Sequence, residues 1–172
     1  MDEQQLNDLM KQHTAKLFRI AYYYTKNLHT AEDIVQDVFI KYFQKNHAIE
    51  ESGIERYLMT MTSNKAKDYL KSWHHQKLTF QEKWFTAKKV HPQDQLVLFD
   101  EEQMISDAVL SLPLKQREVV AYYYLEGFSV KQVAELLDLN ENTVKSRLVK
   151  GRTLLKEHLM AVEWEVLKDD TL

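Results

Sequence analysis

Apolar residues recur every three or four positions along most of this chain, a spacing that predicts helices rather than strands. In the first half the pattern predicts helices over 4–26, 30–45 and 54–73, with a polar loop at 46–53. In the second half it predicts a short helix over 101–110, a helix over 113–125, and two more helices after residue 129. The pattern therefore predicts an all-α protein.

The predicted helices fall into two small domains, each with its own apolar core. The first domain is expected over 1–73 and the second over 101–160, with a linker of mixed character at 74–100 and an acidic tail at 161–172. Thr30 is expected to cap the second helix, and Pro113 is expected at the first position of the fifth. Gly127 is expected to end that fifth helix.

Residues 130–148 have the pattern of a helix-turn-helix, in which two short helices meet at a tight turn. Val133, Leu136 and Leu137 give the first helix an apolar stripe. Asp138 stands at the turn, where positive φ is expected, and Asn140 is a good N-cap for the second helix. The predicted buried side of that second helix consists of Val144, Leu148, Gly151 and Leu155.

The opposite side of this last helix is polar and basic. Residues 145–156 include five Lys or Arg and no acid, although the chain has a formal net charge of −3. Polar side chains on a projecting helix read base edges in the major groove, while Lys and Arg bind phosphate. The predicted DNA-contacting residues are Asn142, Thr143, Lys145, Ser146, Arg147 and Lys150.

The second predicted helix has a further face, separate from its core stripe. At about 100° per residue, that face contains Asp33, Gln36, Asp37 and Ile40, with Phe43 at its border. Acids beside exposed apolar side chains are typical of a protein interface, but a solvated acidic face with one stray Ile has the same spacing.

The third predicted helix is basic on one side. Its residues on that side are Thr60, Asn64, Lys67 and Lys71, which follow one another at spacings of three or four. A basic face with an amide and nearby aromatic residues suits single-stranded or melted nucleic acid. A solvated lysine face accounts for the spacing equally well.

Composition excludes several classes of function. The chain has no Cys, which removes disulfide frameworks and thiolate metal sites and fits a cytoplasmic protein. No apolar stretch approaches the ~18–20 residues of a membrane span, so membrane insertion is not expected. His74, His75 and His91 lack the spacing of a ligand set, and no Ser has a general base at motif spacing. No metal, cofactor or catalytic residue is therefore expected.

Two motifs, in this order, resemble the bacterial extracytoplasmic-function (ECF) sigma factors. The segment Ala-Glu-Asp-Ile-Val-Gln-Asp-Val-Phe at 31–39 is similar to that family's polymerase-binding helix, usually AEDxxQExF. Leu-Pro-Leu-Lys-Gln-Arg-Glu at 112–118, followed by Thr-Val-Lys-Ser-Arg-Leu at 143–148, is similar to its C-terminal domain. The resemblance spans about residues 17–159.

The resemblance implies a factor that binds core RNA polymerase and directs it to promoter DNA. It implies that Asp33, Gln36 and Asp37 contact the polymerase, that the first domain opens the −10 element, and that the second domain reads the −35 element. Asn64 aligns with an asparagine that lines the pocket for a flipped base, and the loop at 46–53 aligns with the −10 specificity loop. An anti-sigma factor is a further implied partner.

The chain also departs from the family pattern. The third helix usually begins Trp-Leu-Tyr-Arg-Ile-Ala-Arg-Asn, whereas residues 57–64 read Tyr-Leu-Met-Thr-Met-Thr-Ser-Asn, so two arginines are absent. Asp138 stands where Gly is usual. The main alternative is a polymerase-independent helix-turn-helix regulator of the response-regulator type, against which the acidic second helix and the lack of a phosphoacceptor domain argue. An enzyme and a structural adaptor are weaker alternatives.

Overall fold

The computed structural model describes residues 3–45, 50–80 and 100–160, and within them all regular structure is helical. The helices are α1 (Glu3–Thr25), α2 (Leu28–Lys45), α3 (Glu51–Phe80), α4 (Asp100–Ser111), α5 (Leu114–Val120), α6 (Val130–Leu137) and α7 (Glu141–Leu159). The chain divides into two compact units, Met1–Gln95 and Leu96–Leu172. The predicted all-α fold class is confirmed.

In the first unit, α1, α2 and α3 pack around one core. Its buried members occupy the predicted apolar stripes and include Leu17, Ile20, Tyr24, Ala31, Ile34, Val35, Val38, Tyr42 and Leu58. Leu6 and Leu9 near the start of α1 are only half-buried. Because three helical stripes face one another, the core stabilises helices that would be marginal in isolation.

The ends of two helices in this unit differ from the prediction. Thr30 does not cap α2, because it lies inside the helix. Its backbone N–H donates to the side-chain oxygen of Asn27 at 2.9 Å, so Asn27 is the N-cap. Helix α3 begins at Glu51, inside the predicted loop, and continues to Phe80. Residues 74–80 contain no Gly or Pro to stop it. Residues 46–49 of the predicted loop lie outside the described residues, as do 81–99 of the linker and the tail.

In the second unit, Pro113 and an irregular turn shape the helix that precedes the helix-turn-helix. Pro113 is the N-cap of α5, with φ −57° and ψ 147°, rather than its first helical residue. After Val120 the helix widens into a π-helical turn over Ala121–Leu125, where the N–H of Glu126 donates to the carbonyl of Ala121. Gly127 follows at φ +75°, as expected of a residue that ends a helix.

The helix-turn-helix matches the sequence prediction closely. Asp138 adopts φ 53° and ψ 52°, the left-handed conformation, and the N–H of Leu139 donates to the carbonyl of Ala134 at 2.9 Å. The Asn140 side chain accepts from the N–H of Asn142 at 2.8 Å, which confirms the predicted cap. Ser129 and Gln132 form a capping box at the start of α6 that the sequence analysis missed.

Gly151 lets α7 lie against α5, and enlarging it should destabilise the second unit. A Cβ at Gly151 would lie 2.7 Å from Cγ2 of Val120, which is fully buried and cannot easily move. We expect Gly151→Val to lower the free energy of unfolding by about 2–3 kcal/mol, because the added methyl groups force the helices apart. The measurement is urea unfolding followed by circular dichroism. Thr153→Val, on the exposed side of α7, is the matched control, and equal losses in both variants would contradict the packing argument.

Candidate functional site

The predicted interface residues of α2 share one exposed face. Asp33, Gln36 and Asp37 are exposed, and Ile40 keeps 52% of its surface accessible. Phe43, at the border, is 44% exposed. Large apolar side chains this open, beside two carboxylates, make the face a stronger interface candidate than a uniformly solvated helix surface.

A shallow cavity of about 560 Å³ adjoins this face, between α2 and α3. Lys65, Asp68 and Tyr69 of α3 line one side of it. The α2 side is formed by Thr30, Asp33, Ile34, Gln36, Asp37, Ile40 and Lys41. The four predicted residues of α2 therefore border a concave surface that also includes charged groups from a second helix.

The Asp37 carboxylate is paired with the Lys65 ammonium group across this cavity. The hydrogen bond from Lys65, assisted by its charge, holds the pKa of Asp37 below the ordinary value for an aspartate. Lys65 was not predicted as a site residue, because its partner lies 28 positions away and only the packing of α3 on α2 brings them together. The pair fixes the orientation of one carboxylate on the face.

The structure distributes the four predicted residues of α3 unevenly. Asn64 and Lys71 are exposed, whereas Thr60 and Lys67 are half-buried. The Lys67 ammonium group lies 5.7 Å from the centre of the Tyr24 ring, a cation–π contact with α1. The Lys71 ammonium group lies 3.7 Å from the Asp68 carboxylate, in an exposed pair that contributes little stability.

The two positions where the family pattern has arginine hold hydroxyls that bond to the helix itself. The Thr60 hydroxyl donates to the carbonyl of Arg56 at 2.9 Å, and the Ser63 hydroxyl donates to the carbonyl of Met59 at 2.9 Å. Ser63 is fully buried. The helix therefore carries less positive charge here than the family pattern has, and Ser63 is closed to any ligand.

The predicted reading face of α7 is open to solvent. Asn142, Lys145, Ser146 and Lys150 are exposed, and Thr143 is half-buried. The Ser146 hydroxyl donates to the carbonyl of Thr143 at 3.0 Å, one turn earlier. All four residues predicted for the buried side, Val144, Leu148, Gly151 and Leu155, are buried. Packing therefore settles which side of α7 faces outward.

Two residues of α7 alter the predicted set. Val149 is 51% exposed, and at about 100° per residue it falls beside Asn142 and Ser146. Val149 was not predicted as a site residue, because an apolar residue is normally expected in the core, although an exposed valine can contact a thymine methyl group. Arg147, by contrast, is half-buried and donates to the Glu118 carboxylate of α5 at 3.1 Å.

No metal centre and no membrane span occur in the part of the chain that the structure describes. Among those residues, no three His, Asp or Glu side chains are grouped so that they could hold a metal ion. The described helices also include none that is long and apolar enough to cross a bilayer. His91 and the side chains of His74 and His75 lie outside the described residues.

Comparisons with known proteins agree with this organisation. Residues 9–75 match sigma-70 region 2, and residues 102–155 match sigma-70, region 4. SigW of Bacillus subtilis, an ECF RNA polymerase sigma factor, is 24% identical over 170 residues that cover 92% of this chain and 90% of SigW. SigE of Mycolicibacterium smegmatis is 25% identical over 156 residues, which cover 89% of this chain and 61% of SigE.

Other relatives are longer, and the similar solved structures share the fold. A probable RNA polymerase sigma factor, RfaY of Xanthomonas campestris, is 28% identical over 147 residues, or 82% of this chain, and the match spans only 37% of RfaY. The sigma factor RpoE from Bartonella quintana, solved with the anti-sigma factor NepR, matches at a TM-score of 0.74 and 22% identity, covering 93% of this chain and 99% of RpoE. With both sigma-70 regions matched in order, each on one helical unit, this chain belongs to the ECF sigma factors.

Proposed function

We propose that this chain binds core RNA polymerase and directs it to promoters, as a sigma factor does. The observation that carries the proposal is the presence of two different surfaces on separate units. One is an acidic and apolar face on α2, and the other is a basic and polar face on α7. A protein that only bound duplex DNA would need the second surface and would have no use for the first.

The α2 face is proposed as the docking site for polymerase. Asp33, Gln36, Asp37 and Ile40 correspond to the family's polymerase-binding motif, and their exposure supports the assignment. Interfaces of this kind combine a small apolar centre with charged groups at the rim, where the charges set specificity and association rate. Ile40 supplies the apolar centre, and Asp33 and Asp37 supply the charges.

The α3 face is proposed to hold the −10 element as a single strand. Asn64 supplies an amide for an unstacked base, Lys67 and Lys71 neutralise backbone phosphates, and Thr60 lies at the edge of this surface. With hydroxyls in place of two arginines, contacts with the strand are fewer than the family pattern provides. We therefore expect promoter opening to rely on the remaining −10 contacts and to depend less steeply on salt than it would with the two arginines present.

The α7 face is proposed to read the −35 element as duplex. Asn142 and Ser146 are proposed to contact base edges in the major groove, and Val149 is proposed to contact a methyl group. Thr143, Lys145 and Lys150 are proposed to bind the flanking phosphates. Because the whole chain has a net charge of −3, we expect weak binding to DNA in the absence of polymerase.

The proposed role requires neither catalysis nor a cofactor. Polymerase performs the chemistry, and the chain contributes binding energy and sequence selection. We place it in the cytoplasm, where polymerase and promoters are found. In the solved structure of similar fold from Bartonella quintana, the sigma factor RpoE is bound to the anti-sigma factor NepR, which supports an anti-sigma factor as a further partner of this chain.

Transcription from genomic DNA distinguishes this proposal from the alternative of a polymerase-independent regulator. Core polymerase with and without the chain is used to transcribe genomic fragments, and the transcript 5′ ends are mapped. We expect the chain to concentrate initiation at a limited set of sites that share two conserved elements. If initiation stays as dispersed as with core polymerase alone, while the isolated chain binds specific duplex sites tightly, the regulator interpretation is correct.

A further inference from the structure

We propose that Arg147 is a positioning residue, which sets the orientation of the reading helix through Glu118 rather than by binding DNA phosphate. The inference rests on the proposed function of α7. It differs from the expectation drawn from the sequence, in which Arg147 belongs to the DNA-contacting set. It also assigns to Glu118, which lies on α5 away from the reading face, a part in promoter selection.

The ion pair between these residues is shielded from solvent. The Glu118 side chain is 6% exposed and the Arg147 side chain 19% exposed, and Nη1 of Arg147 donates to Oε1 of Glu118 at 3.1 Å. Separating a guanidinium from a largely buried carboxylate is costly, because solvent does not replace the hydrogen bond and the charge attraction that are lost. Arg147 is therefore held in place before DNA arrives, and moving it toward a phosphate would sacrifice the contact.

The direction of Arg147 on the helix leads to the same conclusion. At about 100° per residue, Arg147 lies a quarter turn from Ser146, between the reading face and the buried side. Asn142, Ser146 and Lys150 lie together on the reading face, each within about 40° of the mean direction of the three. The Arg147 guanidinium therefore lies at the edge of the reading face and points toward α5, where it contacts Glu118.

Two contacts between α5 and α7 together define the position of the reading helix. The close approach at Gly151, beside Val120, limits the distance between the helices. The pair of Arg147 with Glu118, one turn earlier on α7, limits rotation of α7 about its axis because a buried hydrogen bond requires a defined direction. Small rotations would move Asn142 and Ser146 away from the base edges they contact.

Helix α5 is itself fixed by the residue that precedes Glu118. Arg117 is 6% exposed, and its Nη1 donates to the carbonyl of Leu110 at 3.1 Å, near the end of α4. Consecutive residues of α5 therefore hold the end of α4 and the reading helix α7. This arrangement gives α5 a defined position from which Glu118 can orient Arg147.

The test measures promoter discrimination by the holoenzyme reconstituted from core polymerase and the full chain. The probes are a promoter mapped for the wild-type holoenzyme and the same promoter with its −35 base pairs replaced. For each, open-complex formation is titrated at several salt concentrations. A wild-type holoenzyme without discrimination would contradict the proposed function itself, so that failure is distinguishable from failure of the positioning proposal.

The decisive variant is Glu118→Gln, which keeps the size and a hydrogen-bonding oxygen but removes the charge. We expect discrimination to fall about 3- to 10-fold with an unchanged slope of binding against salt, because no phosphate contact is lost. We expect Arg147→Gln to give a similar loss, and the double variant to be no worse than either, since both act through one contact. Lys145→Gln serves as the comparison for a residue that binds phosphate. We expect it to weaken binding equally at both probes and to reduce the slope of binding against salt.

Several outcomes would overturn the proposal. If Arg147 binds phosphate, Glu118→Gln should strengthen binding to both probes, and Arg147→Gln should reduce the salt slope as Lys145→Gln does. If the pair only stabilises the unit, discrimination should remain at the wild-type level while the variants melt at a lower temperature. Should Glu118→Gln be unfolded at the assay temperature, Arg147→Lys replaces it. Arg147→Lys keeps the positive charge but not the planar guanidinium, so we expect it to lower discrimination. Discrimination at the wild-type level would contradict the positioning role.

Discussion

Asp37→Arg should weaken binding to core RNA polymerase about 30-fold or more. The carboxylate lies on the proposed α2 docking face, beside the exposed Ile40 that supplies its apolar centre. Charge reversal at such a position removes a favourable contact and adds a repulsive one, a loss of about 2 kcal/mol or more. The measurement is titration of fluorescently labelled chain with purified core polymerase.

The new arginine would also face Lys65, the present partner of Asp37, so folding must be checked separately. Far-ultraviolet circular dichroism of the variant should match that of the wild type. Asp8→Arg makes the same charge change at an exposed position on α1 and should bind polymerase normally. Equal weakening by both variants would indicate a general charge effect and would refute the assignment of the α2 face.

Asn142→Ala should reduce the use of promoters with an intact −35 element about 5- to 150-fold while leaving polymerase binding unchanged. A side-chain amide that makes two hydrogen bonds to a base contributes about 1–3 kcal/mol of discrimination. The substitution does not disturb the helix, because the cap is formed by the Asn140 side chain and the backbone N–H of Asn142. The measurement is transcription from a promoter that requires its −35 element.

Glu157→Ala is the matched control, because Glu157 is exposed near the other end of α7. It should leave transcription close to the wild-type level. The Asp37 and Asn142 variants should differ in which step they impair, with polymerase binding lost in the first and −35 use lost in the second. If both lost polymerase binding, the proposed division of labour between the two units would be wrong.

The sequence predicted the helices and the buried side of α7 well, because both follow from the local spacing of apolar residues. The stripe of Ala31, Ile34, Val35 and Val38 leaves few alternatives to an amphipathic helix with this side buried. The turn at Asp138 and the cap at Asn140 were also predictable, since each depends on the chemistry of one residue at one position. Local rules sufficed for these elements.

Features that depend on residues distant in the chain were not predictable. Lys65 reaches Asp37 and Arg147 reaches Glu118 across 28 and 29 positions, and spacing along one helix contains no information about such pairs. The π-helical turn at Ala121–Leu125 was missed as well, since one extra residue per turn leaves the apolar pattern nearly intact. For α3, periodicity indicated a shared face but not that Lys67 contacts Tyr24.

Equilibrium titration with purified core RNA polymerase decides whether this chain is a polymerase-binding subunit. We expect a saturable one-to-one complex that forms at nanomolar concentrations and is weakened by Asp37→Arg but not by Asp8→Arg. If no complex forms at micromolar concentrations, with the chain folded and the polymerase active, this chain is not a polymerase-binding subunit.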